Sequence, residues 1–156
     1  MKYLFVLAGL VMSIFCNAQS NKENELVVMQ NKPLTFSYLN PEELLQPQVI
    51  KNAFHIKYTA GPMSSNVYAM LVPQGLPNES SRSLSLQLNY KSGGTGKESQ
   101  TNVQLTTAPT LLFTTPAASQ NGQQQNFIYD IILMPPKSFT STGSFNFSIV
   151  FSQTLQ

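Results

Sequence analysis

The sequence is poor in the residues from which most catalytic and covalent sites are built. Its 156 residues include one cysteine, one histidine and no tryptophan, and only 10% are charged. A single cysteine cannot form an internal disulfide, and a single histidine leaves few ways to build a metal or hydrolytic site. The formal charge is only +2. The lysine and arginine residues are scattered along the chain rather than clustered, so the sequence does not indicate nucleic acid or an anionic membrane as a partner.

Long hydrophobic runs are also missing, except for one at the N-terminus. There Lys2 precedes an apolar run over residues 3–15, which is short for a bilayer span of about 20 residues. The pattern is typical of a secretory signal peptide over residues 1–18, cleaved after Ala18. A competing interpretation makes Cys16 a lipidated cysteine, which the bulky Phe15 before it fits poorly. We therefore expect export to the periplasm, the cell surface or the medium, and a mature chain without cysteine.

Short stretches in which apolar and polar residues alternate are abundant. Such alternation is typical of β-strands with one buried face. In the clearest example, near the end of the chain, Phe145, Phe147, Ile149 and Phe151 fall on one face. Burying each of these side chains is worth about 1.5–3 kcal/mol, which is large beside the net stability of a domain. We expect these four residues to pack in the core. A strand at the end of a chain is also a natural edge strand, available for pairing with another molecule unless something covers it.

The same reasoning predicts the other elements. Predicted strands cover residues 26–29, 34–38, 49–59, 67–72, 84–90, 100–105, 111–113 and 127–134, and one short helical turn covers residues 40–45. Two of these strands, on either side of the glycine-rich stretch 92–96, are expected to form a hairpin. About seven or eight strands at this spacing predict an all-β fold, a β-sandwich.

The isolated polar residues indicate no catalytic, metal-binding or cofactor-binding site. His55 lies on an alternating strand, and no acidic residue has a ligand spacing relative to it. Asp130, the only aspartate, interrupts an apolar strand, so it must face outward or accept a hydrogen bond. Glu42 and Glu43 are neighbours in a helical turn, where adjacent side chains point apart, and we expect both to be solvated.

Two stretches carry a resemblance to a known family. Residues 126–136 (NFIYDIILMPP), followed by Gly143 and the final alternating strand, resemble the C-terminal region of pilin-like domains of the spore coat protein U type. Those domains are related to chaperone/usher pilus subunits. Residues 33–38 (PLTFSY) are similar to the short strand that opens such domains. The cleavage context at Ala18 also resembles that of secretory proteins of the Bacteroidetes lineage.

The resemblance implies an incomplete immunoglobulin-like, or pilin-like, sandwich. Beside its last strand, a groove accepts a strand from a chaperone or a neighbouring subunit. Classical subunits have a glycine at the position of Gly143 and a tyrosine at that of Leu155, and they contain a disulfide that is absent here. The candidate assembly strand then comprises Gly143, Phe145, Phe147, Ile149, Phe151 and Leu155.

The donor strand implied by the resemblance would be an N-terminal arm over residues 19–33, ahead of a sandwich domain over residues 34–156. Within that arm the candidate donor residues are Leu26, Val27, Val28 and Met29. The leading hypothesis is a non-enzymatic structural or adhesion subunit of a pilus- or coat-like assembly. Its partners would be a periplasmic chaperone, an usher and like subunits. The alternative is a monomeric secreted binding module, for glycans or a protein ligand, and a secreted hydrolase comes third.

Overall fold

The chain folds into an all-β sandwich of two antiparallel sheets, as the alternating pattern predicts. The computed structural model describes residues 24–37, 41–74, 85–93, 101–118, 123–135 and 146–156. Its strands are β1 (Glu25–Gln30), β2 (Gln48–Ala60), β3 (Ser65–Gln74), β4 (Ser85–Gly93), β5 (Asn102–Gln104), β6 (Thr110–Thr115), β7 (Gln123–Met134) and β8 (Asn146–Leu155). A short 3-10 helix (Pro41–Leu45) precedes β2. In these ranges no helix is long and apolar enough to cross a membrane.

The two sheets differ in size, and this difference shapes one side of the sandwich. The larger sheet has the strand order β1-β2-β7-β4-β5, and the smaller has the order β6-β3-β8. Residues 105–109 connect β5 to β6 and close one side, where the backbone N–H of Leu71 donates to the carbonyl of Thr106 over 2.8 Å. The edge strands β1 and β8 lie on the opposite side, which we call the open side.

The core comes chiefly from strands that have a neighbour on each side. Ile56 and Tyr58 of β2 face inward and are fully buried. Phe113 of β6 stacks on Phe127 of β7, with ring centroids 4.0 Å apart, and so joins the two sheets. Strand β7 pairs with both β2 and β4. The inward row of β7 is buried, whereas the outward residues Ile128 and Ile132 remain partly exposed.

The predicted hairpin is confirmed, whereas the predicted strand over residues 34–38 is wrong within the described residues. Strands β4 and β5 pair antiparallel. Residues 34–37 belong to no strand, although Leu34 and Phe36 pack against the core. The alternation there marks an extended chain with one side on the core. The chain stops pairing with β2 after Gln30, at the point where β2 bulges between Ile50 and Phe54.

Candidate functional site

The candidate assembly strand is an edge strand with one paired side. Strand β8 pairs with β3 in a regular register from Asn146 to Leu155, without a bulge. No described strand pairs with its other side. Native proteins usually protect such an edge with charged residues, proline, a bulge or a covering segment. Strand β8 itself carries no charge, proline or bulge. The predicted residues Gly143 and Phe145 lie outside the described residues.

The backbone groups on the unpaired side of β8 can be assigned from the pairing with β3. The backbone N–H of Gln156 donates to the carbonyl of Ser64 over 2.9 Å. In an antiparallel pair, the N–H and C=O groups of successive residues point to alternate sides. Odd-numbered residues such as Ile149, Phe151 and Gln153 therefore direct both groups to the outer side of β8. The outer side of β8 therefore presents N–H donors and C=O acceptors in the arrangement that an added strand needs to form a β-ladder.

The apolar side chains of β8 are less buried than predicted. Phe147, Ile149 and Phe151 pack against the core but remain partly exposed. Leu155 is 48% exposed. Strand β8 lies at a sheet edge and these described side chains pack against the core, as expected, but their burial is only partial.

Strand β1 projects over the unpaired side of β8. Phe54 of β2 meets Phe151 of β8 edge-on, with ring centroids 5.1 Å apart, so β8 lies opposite β2. Strand β1 is the next strand outward from β2. The larger sheet therefore extends past the smaller by one strand position on the open side.

We call the space below β1 and beside β8 the groove. Its lining is apolar and comes from both sheets, with Leu26 and Val28 of β1 and Phe147, Ile149 and Phe151 of β8. Strands β3, β6 and β8 contain no acidic, basic or histidine residue. A neutral, apolar lining suits an extended strand whose alternate side chains are apolar.

One end of the groove is polar and joins the two edge strands. The side-chain Nε2 of Gln153 donates to the carbonyl of Asn24 over 3.2 Å, and Nδ2 of Asn24 donates to the carbonyl of Met63 over 2.7 Å. A Cβ atom at Gly61 would lie 2.1 Å from Oδ1 of Asn24, so only glycine permits this approach. We call Asn24 and Gln153 the polar latch.

The latch contains two acceptors whose hydrogen-bonding capacity is unused. Oδ1 of Asn24 and Oε1 of Gln153 are both buried, and neither has a hydrogen-bond partner in the described part of the chain. A buried polar atom without a partner is unfavourable, because it has lost its hydrogen bonds to water and makes none within the protein. The latch was not foreseen from the sequence, because its residues lie 129 positions apart.

The candidate donor residues Leu26, Val27, Val28 and Met29 lie in β1. This strand pairs antiparallel with β2, from Glu25 opposite Thr59 to Gln30 opposite Phe54. The segment is thus part of the chain's own larger sheet, and Leu26 and Val28 also line the groove. A donor role would require β1 to leave β2.

His55 lies on the larger sheet, away from the groove. Its register partners are Met29 on β1 and Ile128 on β7, so it occupies the outward-facing row of that sheet. Among the described residues there is no group of three or more metal-ligating side chains.

Asp130 is buried and accepts a hydrogen bond, which is the second of the two alternatives that the sequence left open. It is 5% exposed, and its Oδ1 accepts from the backbone N–H of Asn52 over 2.7 Å. Residues 51–53 bulge opposite it, and Asn52 has a φ of 52°. The carboxylate therefore stabilises the bulge of β2, which is a structural role.

Comparison with known proteins leaves the family open. No family model matches the chain, and no curated protein matches it significantly. The resemblance to the spore coat protein U type stays a prediction. The function is therefore argued from the groove.

Proposed function

We propose that this chain is a non-enzymatic structural or adhesion subunit of a pilus- or coat-like surface assembly. It associates by accepting a partner strand in the groove, beside the unpaired side of β8. The observation that supports this most directly is the mismatch between a five-stranded and a three-stranded sheet, which leaves a place for one strand on the open side. The predicted signal peptide agrees with a site of action outside the cytoplasm.

Strand addition suits this edge energetically. Backbone hydrogen bonds to the outward groups of β8 supply affinity, and the half-buried apolar row gives the partner's alternate side chains a surface to cover. Each 100 Å² of apolar surface removed from water contributes about 2.5 kcal/mol. Several partly exposed apolar side chains therefore provide a substantial part of a binding free energy. The partner strand would come from a periplasmic chaperone or from a like subunit.

A fused strand tests whether β8 accepts a partner. The last described residue, Gln156, directly follows β8, so a short turn containing Asn-Gly can lead an added strand back along the outer edge. In the test variant, valine and isoleucine occupy the positions that face the groove. In the control variant the same added residues are shifted by one position, which turns the apolar row outward.

We expect the matched strand to raise the free energy of unfolding by about 2 kcal/mol or more over the control, because it covers apolar surface and fills the ladder. Urea unfolding followed by circular dichroism measures the difference. Equal midpoints for the two variants, with unchanged spectra, would show that β8 does not accept a strand in this groove.

A further inference from the structure

We infer that the polar latch selects the partner strand, which must present a side-chain hydrogen-bond donor opposite Gln153. The inference depends on the proposed function, because it concerns the same groove. It adds the chemistry of the partner: an uncharged strand with a row of apolar side chains that ends in a hydroxyl or amide donor.

The inward-facing row of side chains on β8 changes from apolar to polar at Gln153. Going along the strand, Phe147, Ile149 and Phe151 are apolar and partly buried, and Gln153 follows in the same row with a buried, unpaired Oε1. Asn24 adds a second unpaired oxygen at the same end, since the two side chains belong to one hydrogen-bonded group. A partner strand that matches this row is apolar along most of its length and polar at one end.

The change from apolar to polar side chains at Gln153 fixes the register of the partner strand. A slip by one residue turns every side chain of the partner to the other face. A slip by two residues keeps the apolar row inward, and a uniformly apolar groove would tolerate it. Here such a slip brings an apolar side chain against two amide oxygens and moves the donor beside Phe151. The latch therefore penalises the one error that the apolar row allows.

The unpaired oxygen of Gln153 can turn toward an incoming donor. The terminal torsion of a glutamine side chain is broad and changes at little cost. The present bond from Nε2 of Gln153 to the carbonyl of Asn24, over 3.2 Å, engages only the nitrogen of the amide, and Oε1 has no partner in the described part of the chain. A hydroxyl from the partner would then give Oε1 its missing bond.

A pair of peptides tests the selection on the unmodified full chain. Each is a fluorescent peptide of about nine residues, with serine at outward positions and Val-Ile-Val in the middle of the inward row. Both inward ends carry threonine in one peptide and valine in the other, two residues of nearly equal shape. Because each peptide is palindromic, either strand direction presents the tested residue to Gln153. Fluorescence anisotropy gives the two dissociation constants.

We expect the threonine peptide to bind roughly five- to tenfold more tightly, which is the effect of one net hydrogen bond. In the Gln153→Leu variant, which lacks the acceptor, this preference should disappear. The matched control Gln124→Leu removes an exposed glutamine of β7 and should keep the preference. Circular dichroism establishes that each variant is folded.

The outcomes separate this inference from the proposed function. If both peptides bind the unmodified chain with equal affinity, the groove accepts strands but the latch does not select them, and the inference is wrong. A preference that persists unchanged in folded Gln153→Leu would also overturn it. If neither peptide binds at high concentration, strand acceptance itself fails.

Discussion

At the scale of single residues, Tyr129 places a hydroxyl where nothing in the described structure can bind it. Its side chain is fully buried on β7, its ring packs edge-on against Tyr90 at 5.8 Å, and its oxygen has no hydrogen-bond partner among the described residues. Burial raises the pKa of the Tyr129 hydroxyl well above its ordinary value, and Tyr90 adds to the shift.

We predict that Tyr129→Phe stabilises the fold by about 1 kcal/mol at pH 7, because it removes an unpaired buried hydroxyl and keeps the ring. A control is Tyr68→Phe. Its hydroxyl accepts a bond from Nδ2 of Asn66 over 3.3 Å, so its loss should not stabilise. Urea midpoints measure both changes, and a destabilised Tyr129→Phe would indicate an unseen partner for the hydroxyl.

The same substitution has a defined effect on the pH dependence. A folded-state pKa above the unfolded value near 10 contributes stability that is complete below pH 10 and is lost as the pH rises toward the folded pKa. By pH 11 the original chain should lose about 1.4 kcal/mol more stability than Tyr129→Phe. The comparison between the two proteins cancels the titration of lysines.

Some single-residue features could be predicted from the sequence and others could not. An aspartate in an apolar strand is so costly unpaired that Asp130 had only two acceptable environments, exposure to solvent or a hydrogen bond, and the structure has the hydrogen bond. The polar latch had no such signal. Asparagine and glutamine are common at strand ends and surfaces, and only the packing of two sheets brings Asn24 to Gln153.

At the scale of elements, the bulge of β2 explains how β1 gives way to an extended segment without a ladder. Asn31 donates through its backbone N–H to the carbonyl of Ala53 over 2.9 Å, immediately after the last ladder pair. Asn52, within the bulge, adopts a left-handed φ that few residues tolerate. The bond from its N–H to Asp130 holds that conformation.

We predict that Asp130→Leu destabilises the protein by about 1–3 kcal/mol, since it leaves a bulge N–H without its acceptor. The matched variant Asp130→Asn retains an oxygen at the same position and should cost less than half as much. Chemical unfolding of the two proteins measures the difference. Equal losses would mean that the charge matters and the bond to Asn52 does not.

Alternation along the chain predicted where strands lie, because a strand on a core must alternate. It could not predict which neighbours a strand has. Residues 34–37 alternate as clearly as a strand does, yet their backbone belongs to no strand and only the side chains of Leu34 and Phe36 pack against the core. Strand β8 has the most regular apolar row in the sequence and lies at an edge, as its place in the chain suggested, yet its apolar side chains are only partly buried, because burial also depends on the elements beside a strand.

At the scale of the whole molecule, the groove is a consequence of strand order. Within the described ranges, eight strands divided into sheets of five and three leave β1 without a strand below it, and no property of a single segment encodes that division. The alternating segments predicted a sandwich, and the resemblance to pilin-like domains added the expectation of an incomplete one.

Strand β1 is the segment of this chain first suggested as the donor, and the structure makes that role costly. Its six residues pair with β2, and Leu26 and Val28 pack against the core. Donation to a neighbour would break these bonds and expose that surface before any gain. We therefore predict that β1 stays in its own sheet when the protein associates.

A disulfide lock tests this prediction. Val27 and Lys57 are register partners on β1 and β2, and facing residues in antiparallel strands have Cα atoms about 4.5–5.5 Å apart, within the range of a disulfide. In a Cys16→Ser background, Val27→Cys with Lys57→Cys should form the bond. Closing this loop should raise stability by about 3 kcal/mol. We expect the oxidised and reduced proteins to show the same sedimentation profile at every concentration, because β8 accepts strands in both. If larger species form only after reduction, β1 is the donor, and like subunits then join through their own first strand.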